Sequence, residues 1–169
     1  MTTRHEHFID YLVDRGWMVL HRGAEASPVH SPAGSAAHAT FLALYTQLSN
    51  AADTRWFLSA ADYAGATDSA FAWDAFRSIS LEAAASDADR QSIQAFWARY
   101  LPVFMSVDGD YEFLALDRES GKVVHGIEPE FEDVSEVAVS LDALFEQVLA
   151  GGKACLLYTS PSPRDVEES

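Results

Sequence analysis

The chain has 169 residues, 49% of them hydrophobic, and a formal net charge of −15. That length supplies one domain's worth of core, burying roughly 70% of the surface an unfolded chain exposes. The acid excess excludes nucleic acid and anionic membrane as partners, because their phosphates would be repelled.

In chain order, Thr3-Arg4-His5-Glu6 has capping-box spacing, and Phe8, Tyr11 and Leu12 follow at i, i+3, i+4. A first helix is expected from about Arg4 to Arg15, stopped by Gly16, with Trp17 to Leu20 as a strand or continued packing. His21 to Ser35 contains Gly23, Pro28, Pro32 and Gly34 and reads as loop. Ser35 can cap a second helix whose stripe is Phe41, Leu44, Tyr45 and Leu48. Trp56-Phe57-Leu58 reads as a short strand, and Ser59 with Asp62 as another cap. Phe71 to Ser80 carries Trp73, Phe76 and Ile79 at helical spacing. Ser86 with Asp89 opens a further helix, with Ile93, Phe96, Trp97 and Tyr100 as its apolar positions.

From Leu101 to Ile127 the pattern changes to strands. Leu101 to Ser106, Tyr111 to Asp117 and Lys122 to Ile127 are expected to pair as an antiparallel meander. Asp108-Gly109 favours a type I′ turn, in which both central residues take positive φ, and Gly121 serves the second turn. Tyr111, Phe113 and Ala115 alternate with Glu112, Leu114 and Leu116, so both faces are apolar and both need cover. Glu128 to Glu136 reads as an acidic loop interrupted by Phe131 and Val134. The last helix has Ser140 as N-cap, Asp142 in its first turn, and Leu141, Leu144, Phe145, Val148 and Leu149 as its buried stripe. The expected class is α+β, an antiparallel sheet with a central three-strand meander flanked by N-terminal helices and a C-terminal helix. Residues 1–152 form a single domain, with no internal repeat.

The order of parts from Trp97 onward resembles the SUKH superfamily, which contains bacterial immunity proteins and the fungal Knr-type cell-wall regulator. Those parts are "LPVFMSVDGDYEFLALDRESGKVVHGI" and then "VAVSLDALFEQVLAGG": a strand, an Asp/Gly turn, a strand ending in Asp117, a Gly turn with an apolar strand, and a Ser-capped helix. "FLALYTQLSN" and "WFLSAADY" fit the family's earlier helix and strand more loosely. The tail Cys155 to Asp165, "CLLYTSPSPRD", resembles a translated sequencing-library adapter; a native Pro/Ser-rich tail is the alternative. Residues 153–169 are therefore expected to be non-native or disordered. The single cysteine, Cys155, falls inside them, which leaves the rest without thiol chemistry.

Motifs for chemistry are sparse. Asp108-Gly109-Asp110 suits a hairpin better than a calcium loop, since Phe113, Leu114 and Leu116 stand where oxygen ligands belong. His5 with His7, or His30 with His38, lack the partners and spacing of a metal site and read as surface or loop histidines. Ser35 in "AGSAA" lacks the second glycine of a nucleophile elbow, and no P-loop or dinucleotide fingerprint occurs. Asp117, paired in principle with Asp108 for acid–base work, sits before a turn where Asp bonds nearby backbone. No catalytic residue, metal, cofactor or small-molecule substrate is expected. No apolar run approaches the ~20 residues of a spanning helix, and "MTTRHEHFIDYL" lacks a signal peptide's apolar core, so a cytoplasmic protein is expected.

Between Asp108 and Asp142 stand eleven acids against Arg118 and Lys122. The SUKH resemblance implies a non-enzymatic protein-binding module, in its most specific form an immunity protein that occludes a cognate toxin, often a nuclease. An acidic surface would steer such a basic partner. Glu128, Glu130, Glu132 and Asp133 are the expected steering charges, with Phe131, Trp97 and Tyr100 as interface anchors. A signalling or structural adaptor like the fungal relative is the alternative, and a small hydrolase without a visible motif a more distant one.

Overall fold

A computed structural model describes residues 3–23, 28–66 and 71–151 of the chain. The alternation read in the meander is the centre of a larger sheet. Tyr100–Ser106 (β4), Glu112–Asp117 (β5) and Val123–Ile127 (β6) pair antiparallel, as the sequence predicts. Four further strands extend them: Met18–His21 (β1), Tyr45–Ser49 (β2), Arg55–Phe57 (β3) and Ser135–Ala138 (β7). The seven strands lie in sequence order, each hydrogen-bonded to the next, in one α+β unit. The expected meander is thus the centre of a seven-strand sheet rather than its whole extent, and β2 and β7 were not expected as strands. β2 and β7 have only five and four residues, too short for period-2 alternation to stand out from their surroundings.

Six helices complete the described residues: α1 (Arg4–Asp14), α2 (Ala36–Leu42), α3 (Ala60–Tyr63), α4 (Ala75–Glu82), α5 (Asp87–Arg99) and α6 (Leu141–Leu149). Their starts follow local chemistry. Thr3 and Ser59 close capping boxes with Glu6 and Asp62, while the Ser35, Ser86 and Ser140 side chains accept the backbone N–H three residues on.

Cross-strand register sorts the core into two layers. Leu48, Phe57, Phe104 and Leu114 stand opposite one another across β2 to β5, on one face. Phe8 of α1, Phe41 of α2 and Phe145 of α6 pack there, the Phe8 and Phe145 rings stacking at 4.1 Å. Trp56, Met105, Phe113 and Gly126 form the corresponding row on the other face. It is covered by Phe76 of α4, Trp97 of α5 and Phe131 of the 128–134 loop. Gly126 is what lets that loop close down. A Cβ there would collide with the Phe113 ring and come within 2.8 Å of the Phe131 carbonyl oxygen.

Three other expectations are corrected. The stripe Phe41, Leu44, Tyr45, Leu48 is not one helix: α2 stops at Leu42, and Tyr45–Ser49 pairs with both β1 and β3. The register slips opposite Leu20 and His21, skipping Thr46, so Tyr45 and Leu48 reach the same core three residues apart and mimic helical spacing. The turn between β4 and β5 is not a two-residue type I′ loop. Ser106 pairs with Glu112, leaving five residues between, and only Gly109 has positive φ, at 88°. The fourth helix begins at Ala75, with Phe71 and Trp73 packed before it rather than on it. No helix among the described residues is long and apolar enough to cross a membrane. The expected non-native tail, with Cys155, and the domain's last residue, Gly152, lie outside the described residues.

Candidate partner-binding site

The second face of the sheet carries the one place where the expected site residues converge. Phe131 and Trp97, expected as interface anchors, are core residues at 3% and 5% exposure. Phe131 stacks on Phe76 at 4.7 Å with the rings 5° from parallel, and Trp97 leans on Phe113 at 5.0 Å. The correction has a physical cause: Gly126, without a side chain, leaves room for the 128–134 loop to close over Phe113. Burial draws in one of the acids as well. Trp97 Nε1–H donates to Glu132 Oε2 at 2.8 Å, and the Ser80 hydroxyl donates to the same oxygen at 2.7 Å. Ser80 comes from α4 and Trp97 from α5, so one carboxylate ties two helices to the loop.

The other acids of the loop divide by role. The Glu128 carboxylate accepts the backbone N–H of Tyr111, and its own N–H donates to the Tyr111 carbonyl at 2.9 Å. Glu128 is therefore a clasp between the loop and the start of β5. Glu130 and Asp133 are exposed, on either side of the turn closed by Asp133 N–H to Glu130 C=O at 3.0 Å. Of the four expected steering charges, Glu130 and Asp133 face solvent, while Glu128 and Glu132 are hydrogen-bonded into the fold. Tyr100 opens β4 half-buried, its ring tilted against Phe96 at 4.6 Å and under the Arg99 guanidinium at 5.3 Å.

Beside Glu132 the α4–α5 turn leaves a cleft of about 340 Å³, at the small end of ligand-sized cavities. Ala83, Ala84, Ile93 and Pro129 give it apolar walls, and Ser80, Ser92, Asp89 and Glu132 give it oxygens. The turn is rigidly built. Asp89 N–H donates to the Ser86 hydroxyl at 3.1 Å, Ala85 N–H donates to Asp89 Oδ2 at 3.2 Å, and Arg90 Nη1–H donates to the Leu81 carbonyl at 2.9 Å. Among the described residues neither Asp89 nor Glu132 takes part in an ion pair. Sequence reading found Ser86 and Asp89 as a cap but missed the cleft, because Ile93 and Ser80 gave no signal beyond helical spacing.

Several acids elsewhere have cationic or hydrogen-bonding partners. Asp117, 4% exposed, receives Arg99 Nε–H and Nη2–H at 3.0 and 2.9 Å, together with the Ser120 hydroxyl and the Glu119 N–H. The Arg99 hydrogen bonds, helped by those of Ser120 and Glu119, hold its carboxyl well below the usual carboxylate range. As expected, Asp117 bonds the turn beside it. Asp108 pairs with Arg55 at 3.3 Å, Glu136 with Lys122 at 3.1 Å, and Glu112 meets His125 at 2.9 Å. Asp108 and Asp117 sit at opposite ends of the β4–β5 hairpin and share no site.

The histidine expectation is corrected in two cases. His5 is 7% exposed and bonds Asp142 at 2.7 Å, bridging α1 to α6. His38 is 1% exposed and shares a 2.7 Å hydrogen bond with Ser31, and burial pushes its imidazole down to about 4. His38 therefore pins the 28–35 loop to α2 as a neutral ring. Ser31 also accepts the Ala33 N–H, which spends its hydroxyl on a turn. Among the described residues no group of three His, Cys, Asp or Glu side chains stands placed to hold a metal ion. No family model, curated protein or solved structure matches the chain.

Proposed function

We propose that this chain is a protein-binding module that docks a basic protein on the face built by the α4–α5 turn and the 128–134 loop. In its most specific form, which the SUKH-like order of motifs implies, it is an immunity protein that neutralises a cognate toxin. The observation that carries the reading is the uneven pairing of acids. Asp108, Asp117 and Glu136 of the sheet pair with Arg55, Arg99 and Lys122, whereas Glu130, Glu132, Asp133 and Asp89, gathered on one side of the molecule, take part in no ion pair among the described residues. An unpaired carboxylate cluster beside a cleft attracts a cationic surface at long range, and its effect falls on the association rate.

The test asks whether a reading frame beside this chain encodes a toxin domain, and uses that domain. Co-expression is expected to restore growth, and the two purified proteins to associate with a rate that falls steeply as salt rises from about 50 to 500 mM. Changing Glu130 to Gln and Asp133 to Asn together is expected to slow association about threefold to tenfold and flatten that salt dependence. A toxin domain that neither binds nor is neutralised would overturn the reading.

A further inference from the structure

We propose that α4 and α5 form a lid that opens as one piece from the second face of the sheet while the rest of the fold stays intact, with the Glu132 carboxylate as its latch. The property belongs to the isolated chain and goes beyond the docking of any partner.

Burial separates these two helices from the others. α1 buries His5, Phe8, Ile9 and Leu12, and α6 buries Leu141, Leu144, Phe145 and Val148. Of the 13 residues of α5 only Trp97 is buried, with Ile93 and Phe96 partly covered, and α4 buries only Phe76 and Ser80. Lifting the pair therefore uncovers far less apolar surface than unfolding the sheet, and segments with few buried apolar side chains open first. The two helices leave together, because they are joined to each other independently of the sheet. Arg90 Nη1–H donates to the Leu81 carbonyl at 2.9 Å, and Ser86 and Asp89 cap the turn between them. Their foot stays in place. Arg99 Nε–H and Nη2–H hold Asp117 at 3.0 and 2.9 Å, and Arg118 N–H donates to the Arg99 carbonyl at 2.9 Å.

Every buried anchor of the lid meets Phe131 or Glu132. The Ser80 hydroxyl and Trp97 Nε1–H both end on Glu132 Oε2, at 2.7 and 2.8 Å, and Phe76 stacks on Phe131. Hydrogen bonds to an ionised acceptor are roughly twice as strong as neutral ones, so this one oxygen carries much of what keeps the lid shut. The latch stays with the sheet when the lid lifts, because Glu128 of the same loop is clasped to Tyr111. Opening breaks both bonds to Glu132 and withdraws Trp97 and Phe76 from the Phe113 ring, 5.0 and 6.1 Å away.

Native-state amide hydrogen exchange, followed by NMR in urea up to about 2 M and under conditions that read opening equilibria, is the test. Amides 79–83 and 93–97 are expected to share one opening constant, at least about tenfold larger than that of amides 113–116 and 144–148. Its urea dependence should be shallower, because less surface is exposed. Ile9→Val, in the core under α1, should raise the constants of β5 and α6 about twofold to tenfold. It should leave the lid unchanged, since Ile9 stays buried when the lid opens. Glu132→Ala should raise the lid's constant about tenfold to hundredfold. Ser80→Ala removes one donor from the same oxygen and keeps the latch testable if Glu132→Ala fails to fold; its expected increase is about threefold to tenfold. Lid amides that exchange with the constant and urea slope of β5, or that respond to Ile9→Val as β5 does, would show that the helices open only with the whole fold and overturn the lid. An unchanged lid constant in the latch variants would overturn the role of Glu132.

Discussion

The two faces of the sheet solve the same burial problem with different materials. Under α1, α2 and α6 the layer is sealed by aromatic rings packed on one another: Phe145 lies against Phe8, Phe41 and His5, and its polar partners, His5 with Asp142, sit at the margin. Under α4, α5 and the 128–134 loop the aromatic layer is just as close, yet a carboxylate is woven into it and a cleft opens beside that carboxylate. On that second face Glu132, held by two neutral donors, joins the loop to α4 and α5, a task that ring packing alone performs on the first. The contrast is between a structural face, under α1, α2 and α6, and one beside which a candidate site opens.

The largest expected effect tests the structural face. Phe145→Ala removes a fully buried ring and should cost about 3–5 kcal/mol by urea unfolding. Phe131→Ala on the other face should cost about 2–4 kcal/mol, because Phe131 is core rather than surface. A loss below about 0.5 kcal/mol would return Phe131 to the surface and erase the contrast.

Acid should weaken the structural face through His38. Its folded value lies near 4 against an ordinary 6.5, so between those limits the unfolded chain binds the extra proton. Stability from this group is therefore complete above pH 6.5 and is lost as pH falls towards 4. The sum approaches about 3 kcal/mol, treated as an order of magnitude. Melting temperatures recorded across that window for wild type and His38→Gln should converge at low pH; parallel curves would remove His38 from the account.

Smaller again is Trp97→Phe, which keeps an aromatic ring but loses the donor to Glu132 and part of the indole's packing, and should cost about 1–2 kcal/mol. The smallest effect should come from Glu130→Gln with Asp133→Asn, within about 0.5 kcal/mol by the same denaturation, as for exposed substitutions in general. A destabilisation beyond about 1 kcal/mol would show that those acids hold the loop instead of facing a partner.

What the sequence determined by itself lay within a turn or two of chain. The caps at Thr3, Ser35, Ser59, Ser86 and Ser140 are interactions between residues three apart, and they appear where the residue types place them. The β4–β5–β6 pairing and the Leu141, Leu144, Phe145, Val148 stripe were legible for the same reason, being set by short turns and by helical period. Tertiary structure decided what lies on the far side of each side chain. Tyr45–Ser49 has the spacing of a helix and is a strand because β1 and β3 flank it and a slipped register turns Tyr45 inward. Phe131 reads as an exposed anchor among acids and is buried because Gly126 leaves room for its loop over Phe113. Glu132 reads as one solvated charge in a run, and it is singled out by Ser80 and Trp97, which lie 52 and 35 residues away. Local chemistry fixes how a segment starts and turns and which of its faces is apolar, but which distant segments cover each side chain is a property of the space they share.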